Sequence, residues 1–181
     1  EAPKCNLLAA VAVEMAMERF GLRAGIKWPN DILYEGKKLV GILTEMNAEM
    51  DRINYVVPGT GINVNIWPEE FPEALRSTAT SLAIMKGETL PRVKFFQAVL
   101  EAMEKLYETA CTEGFGPVMQ IWKRYAITLG QAVNVIGIGR NESFQGIAAD
   151  IDEDGALLVD TAQGRRRVLA GDVSIRPREK E

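Results

Sequence analysis

The stretch Lys27-Trp28-Pro29-Asn30-Asp31 sets a cation, an amide and a carboxylate side by side at a turn stiffened by proline. Proline fixes φ and biases the residue before it toward extended geometry, so a strand that carries Lys27 is predicted to end here. Asn30 and Asp31 then fall at a strand end, where turn chemistry tolerates them and where binding sites are common. The stretch therefore predicts a charged pocket at the end of a sheet strand.

Two later stretches supply further polar and glycine residues. Lys38 precedes the apolar run 39–43, which is interrupted by Gly41, and the segment Gly59-Thr60-Gly61-Ile62-Asn63 follows. A glycine inside a strand loses packing unless another backbone or a ligand comes close. A glycine pair between strands predicts a bulge or tight turn more readily than a phosphate loop. Taken singly, each residue also fits a purely structural interpretation as a solvated lysine, an Asx turn or part of an exposed strand face.

Apolar periodicity and turn residues predict an α+β fold with a mostly antiparallel sheet and packed helices. The predicted helices span 6–20, about 91–111 after a candidate N-cap at Thr89, and a shorter segment from Pro117 to 125. The predicted strands of this part span 24–28, 32–34, 39–46, 53–58 and 62–66. The turn-rich stretch 67–81 is predicted to be a surface loop.

The long second helix contains seven large apolar residues at helical spacing, which we expect to form its buried face. They are Val93, Phe96, Val99, Leu100, Met103, Leu106 and Tyr107. After residue 127 the pattern changes to short strands separated by turns at 139–141, 152–155 and 163–164. This spacing predicts a small barrel as a second domain, with a boundary at about 127.

The composition restricts the chemistry of this chain. Its 181 residues carry a net charge of -4 at pH 7, which gives no reason to expect general nucleic-acid binding, and they include no histidine. A Ser-His-Asp triad, a Cys-His dyad and imidazole-based zinc sites are therefore excluded within it. The two cysteines share no motif, and the longest apolar run is too short to cross a bilayer. We expect a cytoplasmic protein with no membrane association.

Together and in this order, the three stretches resemble the catalytic core of bacterial biotin protein ligases. The resemblance continues through the helix at 91–111, the helix around Trp122 and the C-terminal segment Asp172-Val173-Ser174-Ile175-Arg176. It implies a biotin/lipoyl ligase fold, related to class II synthetases, over residues 1–127 and an SH3-like barrel over 128–181. It also implies a fragment that lacks the N-terminal half of the catalytic domain, and no DNA-binding domain in this chain.

The resemblance further implies an activity and a site. In this family, biotin and ATP form biotinyl-5′-AMP with Mg²⁺, and the biotinyl group passes to a lysine of the biotin carboxyl carrier protein of acetyl-CoA carboxylase. Lys27 would contact the phosphate or the biotinyl carbonyl, and Asp31 would accept a proton from the incoming amine or orient it. Asn63 would lie near the phosphates and the metal ion. The full set of implied binding residues is Trp28, Asn30, Lys38, Gly41, Gly59, Gly61, Ile62, Asn63 and Arg176.

Two other interpretations remain open at this point. The chain is also compatible with a relative of lipoyl or octanoyl transferases, which share the catalytic fold. It is equally compatible with a non-catalytic binding or interaction module. A homodimer is plausible by resemblance to the family.

Overall fold

The computed structural model describes residues 2–49, 53–137, 143–170 and 173–177. Its helices are α1 (Ala2–Arg19), α2 (Leu82–Lys86), α3 (Arg92–Glu113) and α4 (Gly116–Tyr125). Its strands are β1 (Gly25–Lys27), β2 (Asp31–Tyr34), β3 (Lys37–Ala48), β4 (Ile53–Ile62), β5 (Ala132–Gly137), β6 (Phe144–Ile151), β7 (Leu157–Thr161), β8 (Gly164–Val168) and β9 (Val173–Pro177). The α+β class predicted from the sequence is confirmed.

Helix α1 is the centre of the core. Its residues 9–13 are all small or branched apolar side chains, and each is at most 1% exposed. A helix that is apolar on every side is buried on every side, and α1 packs against α3, α4 and the β3–β4 pair. It ends at Arg19, and Gly21 just beyond it has a φ of 72°, the left-handed conformation that glycine adopts after helix ends.

Strands β1 to β4 form one antiparallel sheet in the order β1-β2-β3-β4. Ile26, Ile32, Val40 and Ile42 belong to its buried face, and each is at most 1% exposed. Because successive strand residues point to opposite faces, the residues next to them point away from the core. The predicted polar pocket therefore has an open sheet face on which to form.

The predicted buried stripe of α3 is wrong for four of its seven residues. Val99 and Leu106 are buried, but the helix packs through a neighbouring stripe that contains Ala98 and Ala102. Small side chains let α1 approach closely, and a pattern of large apolar residues does not reveal that face. The four large residues left exposed are Val93 (70%), Phe96 (59%), Leu100 (49%) and Tyr107 (65%).

Three further expectations need correction. Helix α3 is preceded by Pro91 as its N-cap residue, so Thr89 is not the cap. The strand predicted at 53–58 continues without a turn through the glycine pair and ends at Ile62 as β4, and residues 63–66 of the second predicted strand are not in a strand. The predicted loop 67–81 contains two short 3₁₀ turns and leads directly into α2.

The C-terminal residues form a second antiparallel sheet in the order β8-β7-β6-β5-β9. The turn at 152–155 lies between strands as predicted, and the turn predicted at 163–164 lies one residue earlier, at 162–163. The turn predicted at 139–141 and Asp172 lie outside the described residues. Closure of this sheet into a barrel stays a prediction, as does the domain boundary near 127. Within the described part of the chain, none of the helices combines the length and apolar character needed to cross a membrane.

Candidate functional site

Residues from all three stretches lie in one row across the first sheet. Lys27 pairs with Asp31, Asp31 pairs with Gly41, and Gly41 pairs with Gly61. Directly opposed residues of antiparallel strands project from the same face, and here this is the open face. Stretches that are separated by up to 34 positions in the sequence therefore meet at one level of the sheet.

An ion pair crosses this row. Lys38 Nζ lies 2.5 Å from Asp31 Oδ1, and the lysine side chain is 52% exposed while that of Asp31 is 23% exposed. The lysine lies over Gly41, where an added Cβ would be 2.9 Å from Lys38 Cε and 3.0 Å from Nζ. Gly41 thus makes room for the Lys38 side chain. The sequence suggested that another backbone or a ligand would come close to this glycine. Any residue with a Cβ at 41 would displace the ammonium group from its position.

Asn30 fastens the turn to the neighbouring strand. Its Nδ2 donates to the Ile42 carbonyl at 2.8 Å, and the Ile42 amide donates back to the Asn30 carbonyl at 2.9 Å. The Asn30 amide nitrogen is thereby committed to holding Asp31 beside Gly41. Its predicted contact with an adenylate stays a prediction.

Trp28 points away from the open face. The Trp28–Pro29 peptide bond is cis. The side chain is 1% exposed, and its Nε1 donates to the Gly155 carbonyl at 3.0 Å. Its backbone amide donates to Thr128 Oγ1 at 2.9 Å. A side chain held in this way offers almost no surface to a ligand, so the structure gives Trp28 a supporting place rather than a contact surface.

The open face borders a cleft of about 610 Å³. One side is formed by β3 and β4, and the other by the segment 66–79, which runs back over the sheet. The Lys38 amide donates to the Thr78 carbonyl at 2.7 Å, and the Thr80 amide donates to the Lys38 carbonyl at 2.9 Å. The lining residues are Lys38, Leu39, Gly41, Gly61, Ile62, Asn63, Ile66, Glu70, Phe71, Pro72, Leu75, Thr78 and Ala79.

Sequence reasoning missed the second wall of this cleft, because it treated 67–81 as a plain surface loop. The available signal was apolar residues in a polar loop. Phe71 is only 6% exposed, and Ile66 and Leu75 also face the cleft. A solvated loop has no need for such residues, so their presence indicates that the loop folds onto something.

The remaining predicted site residues are only partly brought together. Asn63 lines the cleft. Its Nδ2 donates to the Thr80 carbonyl at 3.0 Å, which ties the residue after β4 to the residue after the second wall. Ile62 also lines the cleft, whereas Gly59 pairs with Leu43 further along β4 and is not part of the lining. Arg176 lies on β9, where its backbone pairs with that of Asn134, and its side chain is outside the described part of the structure.

The charges of the open face suit an anionic ligand. Lys27 and Lys38 flank Asp31 on this face, so at this level of the sheet two lysines lie beside one carboxylate. The described residues contain no group of three or more carboxylates or cysteines that could hold a metal ion. Mg²⁺ needs no such group when it arrives with a substrate, because it is commonly bound by one or two protein oxygens together with substrate phosphates and waters. Asp31 and Asn63, together with Glu70 and Thr78 of the cleft lining, carry side-chain oxygens at this site.

Comparison with known proteins identifies the family. Residues 5–63 match the model of the biotin/lipoate A/B protein ligase family, and residues 128–176 match the model of the biotin protein ligase C-terminal domain. A biotin--[acetyl-CoA-carboxylase] ligase of Paracoccus denitrificans is 32% identical over 181 residues, which cover 95% of this chain and 72% of that protein. The chain belongs to the biotin protein ligase family.

Other family members agree in sequence and in fold. The bifunctional ligase/repressor BirA of Bacillus subtilis (strain 168) is 44% identical over 174 residues, which cover 96% of this chain and 53% of BirA. The chain thus spans about half the length of such relatives. The apo structure of biotin protein ligase from Aquifex aeolicus superposes with a TM-score of 0.85 at 26% identity, covering 97% of this chain and 76% of that one. The complex of that ligase with biotin and ATP gives a TM-score of 0.83.

Proposed function

We propose that this chain carries the adenylation site of an ATP-dependent biotin protein ligase. The observation that carries the proposal is the row Lys27–Asp31–Gly41–Gly61, with the Lys38 ammonium group held over it at the edge of the cleft. Two cations and one carboxylate on an open sheet face meet the electrostatic needs of both half-reactions. The relative of known structure that was crystallised with biotin and ATP supports the choice of these two substrates.

The first half-reaction joins two anions. A carboxylate oxygen of biotin attacks the α-phosphorus of ATP, the bond from that phosphorus to the bridging oxygen breaks, and pyrophosphate leaves. Ammonium groups placed where negative charge accumulates lower the barrier to such a step. We assign Lys38 to the biotin carboxylate and Lys27 to the α-phosphate.

The second half-reaction needs a proton acceptor. The ε-amine of the target lysine attacks the carbonyl carbon of biotinyl-5′-AMP, the carbon–oxygen bond to the phosphate breaks, and AMP leaves with the electron pair. The amine gives up a proton as the amide forms, and Asp31 is the carboxylate on the open face that can take it. The proposed acceptor is a lysine of the biotin carboxyl carrier protein.

The other residues have secondary parts in this proposal. Mg²⁺ bound to the phosphates of ATP would neutralise charge on the leaving group, and Asn63 is the cleft residue placed to approach it. Asn30 keeps Asp31 in register, and Gly61 leaves the floor of the cleft flat. Roles for Gly59 and for the Arg176 side chain, a homodimeric state and a cytoplasmic location also belong to the proposal.

A relative of lipoyl or octanoyl transferases is the second candidate. The match over residues 5–63 is to a family that includes both biotin and lipoate ligases, so it does not separate them. The match over residues 128–176 is to a domain named for biotin protein ligases, which favours biotin. A ligand comparison decides between the two.

The test is calorimetric titration of the 181-residue chain with biotinyl-AMP, biotin and lipoate. We expect biotinyl-AMP to bind most tightly and lipoate not to compete with it. Lys27→Met should weaken biotinyl-AMP binding roughly 10- to 100-fold, because a hydrogen bond to a charged group contributes about 1.5–3 kcal/mol. Lys37→Met is the matched control, since Lys37 is an exposed lysine at the hairpin end of the same sheet.

The outcomes separate the candidates. Absence of biotinyl-AMP binding overturns the proposal and favours a non-catalytic module. Tighter binding of lipoate than of biotin favours the transferase relative. Equal effects of Lys27→Met and Lys37→Met would remove Lys27 from the site.

A further inference from the structure

One residue of the first stretch faces the C-terminal sheet. The Trp28 indole reaches from the first sheet to the turn between β6 and β7, where its Nε1 donates to the Gly155 carbonyl. The backbone amide of the same residue donates to Thr128 Oγ1, and Thr128 is itself 5% exposed. Trp28 thus makes two buried hydrogen bonds to residues beyond 127. A purely apolar filler of that space would need no acceptor, so the indole N–H and its partner form a specific contact.

The turn that presents the acceptor is itself rigid. Asp152 Oδ1 accepts from the amides of Asp154 at 2.9 Å and Ala156 at 3.0 Å, and the Arg167 guanidinium binds its other oxygen. Gly155 has a φ of 80°, and a Cβ there would lie 2.9 Å from Leu7 Cδ1 of helix α1. Little freedom is left to this turn, so the Gly155 carbonyl is a fixed point against α1.

The contact lies directly beside the row of site residues. The Ile127 amide donates to the Ile26 carbonyl at 2.9 Å, and Thr128 accepts from Trp28. Lys27 lies between these two anchored residues. The end of β1 is therefore held from both sides by the segment 127–128, and Trp28 links it to the β6–β7 turn.

The ion pairs between the same two parts are peripheral. Lys123 pairs with Asp150 at 2.7 Å, and Lys4 lies 4.0 Å from Asp154. These pairs are partly exposed and contribute little fixed geometry. The Trp28 contacts are the buried ones, and they act on the residue that follows Lys27.

We propose that Trp28 is a positioning residue through which the turn at 152–155 holds Lys27 and Asp31 in place relative to Lys38. This inference rests on the proposed function for its consequence in ligand binding. Without the bond to Gly155, the Trp28 end of the turn is held only by its amide bond to Thr128, while the bonds between Asn30 and Ile42 still hold the other end. Lys27 can then shift on the open face, and Asp31 shifts with it only as far as the Asn30 bonds allow, while Lys38 remains tied to segment 78–80.

The test compares Trp28→Phe with Trp122→Phe. Trp122 is a matched control because it is fully buried too, but its Nε1 has no hydrogen-bond partner among the described residues. Both substitutions remove the same atoms from the core. We expect Trp28→Phe to weaken biotinyl-AMP binding at least tenfold and Trp122→Phe to change it less than threefold at a similar loss of unfolding free energy.

A second measurement is independent of any ligand. Amide hydrogen exchange of residues 25–31 should accelerate at least tenfold in Trp28→Phe and stay near the parent rate in Trp122→Phe. Thr128→Val should act in the same direction as Trp28→Phe, and Thr128→Ser, which keeps the hydroxyl, should restore the parent rates. If exchange in 25–31 follows global stability in all four variants, the positioning role is overturned.

The two proposals fail in different ways. If the parent chain does not bind biotinyl-AMP, the proposed function falls, and hydrogen exchange still decides the role of Trp28. If the parent chain binds it and Trp28→Phe binds equally well, the positioning role falls and the proposed function stands.

Discussion

The carboxylates of Asp31, at the start of β2, and of Asp152, in the turn between β6 and β7, are held in different ways. Asp152 accepts two backbone N–H bonds within its own turn and binds the Arg167 guanidinium. Within the described residues, Asp31 has a single charged partner, the end of the flexible and half-exposed Lys38 side chain. One carboxylate is saturated with donors, and the other keeps most of its capacity to accept a bond.

This contrast separates a structural carboxylate from an available one. Burial alone would raise the pKa of Asp152, but the hydrogen bonds from Arg167 and from the turn amides outweigh it and lower the pKa below the ordinary value of 3.8. An exposed lysine–carboxylate pair such as Lys38–Asp31 contributes about 0–1 kcal/mol to stability. Its contribution to folding is therefore small, which agrees with the proposed role of the pair in ligand binding.

A third carboxylate gives the opposite extreme. Glu14 of α1 is fully buried, and its Oε1 has no partner in the described part of the chain. Its Oε2 accepts from the Ala24 amide at a long 3.3 Å. Burial raises the pKa of Glu14 to about 7, with Glu18 adding to the rise and the Ala24 amide and Arg23 opposing it. Glu14 is a carboxyl group that the fold stabilises in its neutral form.

The largest expected effect is that of Asp31→Asn on transfer of the biotinyl group. Removal of a positioned general base costs roughly 10²–10⁴-fold in rate. We expect carrier-protein biotinylation to fall by about that factor, while the unfolding free energy changes by less than about 1 kcal/mol. Single-turnover transfer from preformed biotinyl-AMP measures the first quantity, and urea unfolding measures the second. If Asp31→Asn retains transfer of the biotinyl group, or loses much stability, then Asp31 is not an available carboxylate of the kind that Asp152 is contrasted with.

The second prediction concerns the pH dependence of stability through Glu14. Its pKa is about 7 in the folded chain and ordinarily 4.5, so the unfolded state ionises first as the pH rises. Stability from this group is complete below pH 4.5 and declines until about pH 7, by about 3 kcal/mol at 1.36 kcal/mol per pKa unit. Glu14→Gln should remove this decline and leave the variant more stable than the parent at pH 8.

Urea unfolding at pH 4.5, 6 and 8 checks this expectation. Glu108→Gln is the matched control, because Glu108 is an exposed glutamate on another helix, α3. It should leave the slope of stability against pH close to that of the parent. A parent chain with equal stability at pH 4.5 and 8 would show that Glu14 is ionised in the fold.

The smallest effect is expected for Asp152, whose carboxylate already accepts several hydrogen bonds. Asp152→Asn removes charge from three hydrogen bonds, and we expect a loss of about 1–2 kcal/mol of unfolding free energy at pH 7. Because the folded pKa of Asp152 is lowered, its contribution is present above about pH 4 and is lost as the pH falls through the folded pKa. The variant and the parent should therefore converge in stability in acid.

Asp160→Asn serves as the control for that prediction. The Asp160 carboxylate pairs with Arg165 on an exposed part of the second sheet, and among the described residues no backbone N–H is seen to donate to it. Its replacement should not change the unfolding midpoint measurably. If Asp152→Asn behaves in the same way, the turn at 152–155 does not depend on its carboxylate.

The sequence predicted much of this protein through local rules. The first helix, the tight connection between the strands predicted at 32–34 and 39–46, and the short strands after residue 127 are all present. Each of these features depends on a few neighbouring residues, which is why the pattern suffices. The same rules failed for α3, because the choice between two apolar stripes depended on how closely α1 could approach Ala98 and Ala102.

The sequence by itself determined the candidate residues of the proposed site, since Lys27, Asp31, Lys38 and the glycines stand in three recognisable stretches. Only the tertiary structure decided how these residues are arranged in space. Strand register brings Lys27, Asp31, Gly41 and Gly61 into one row, and the cleft gains its second wall from segment 66–79. It also turns Trp28 inward to Gly155. These are contacts between residues far apart in the chain, and a local pattern carries no information about their distance in space.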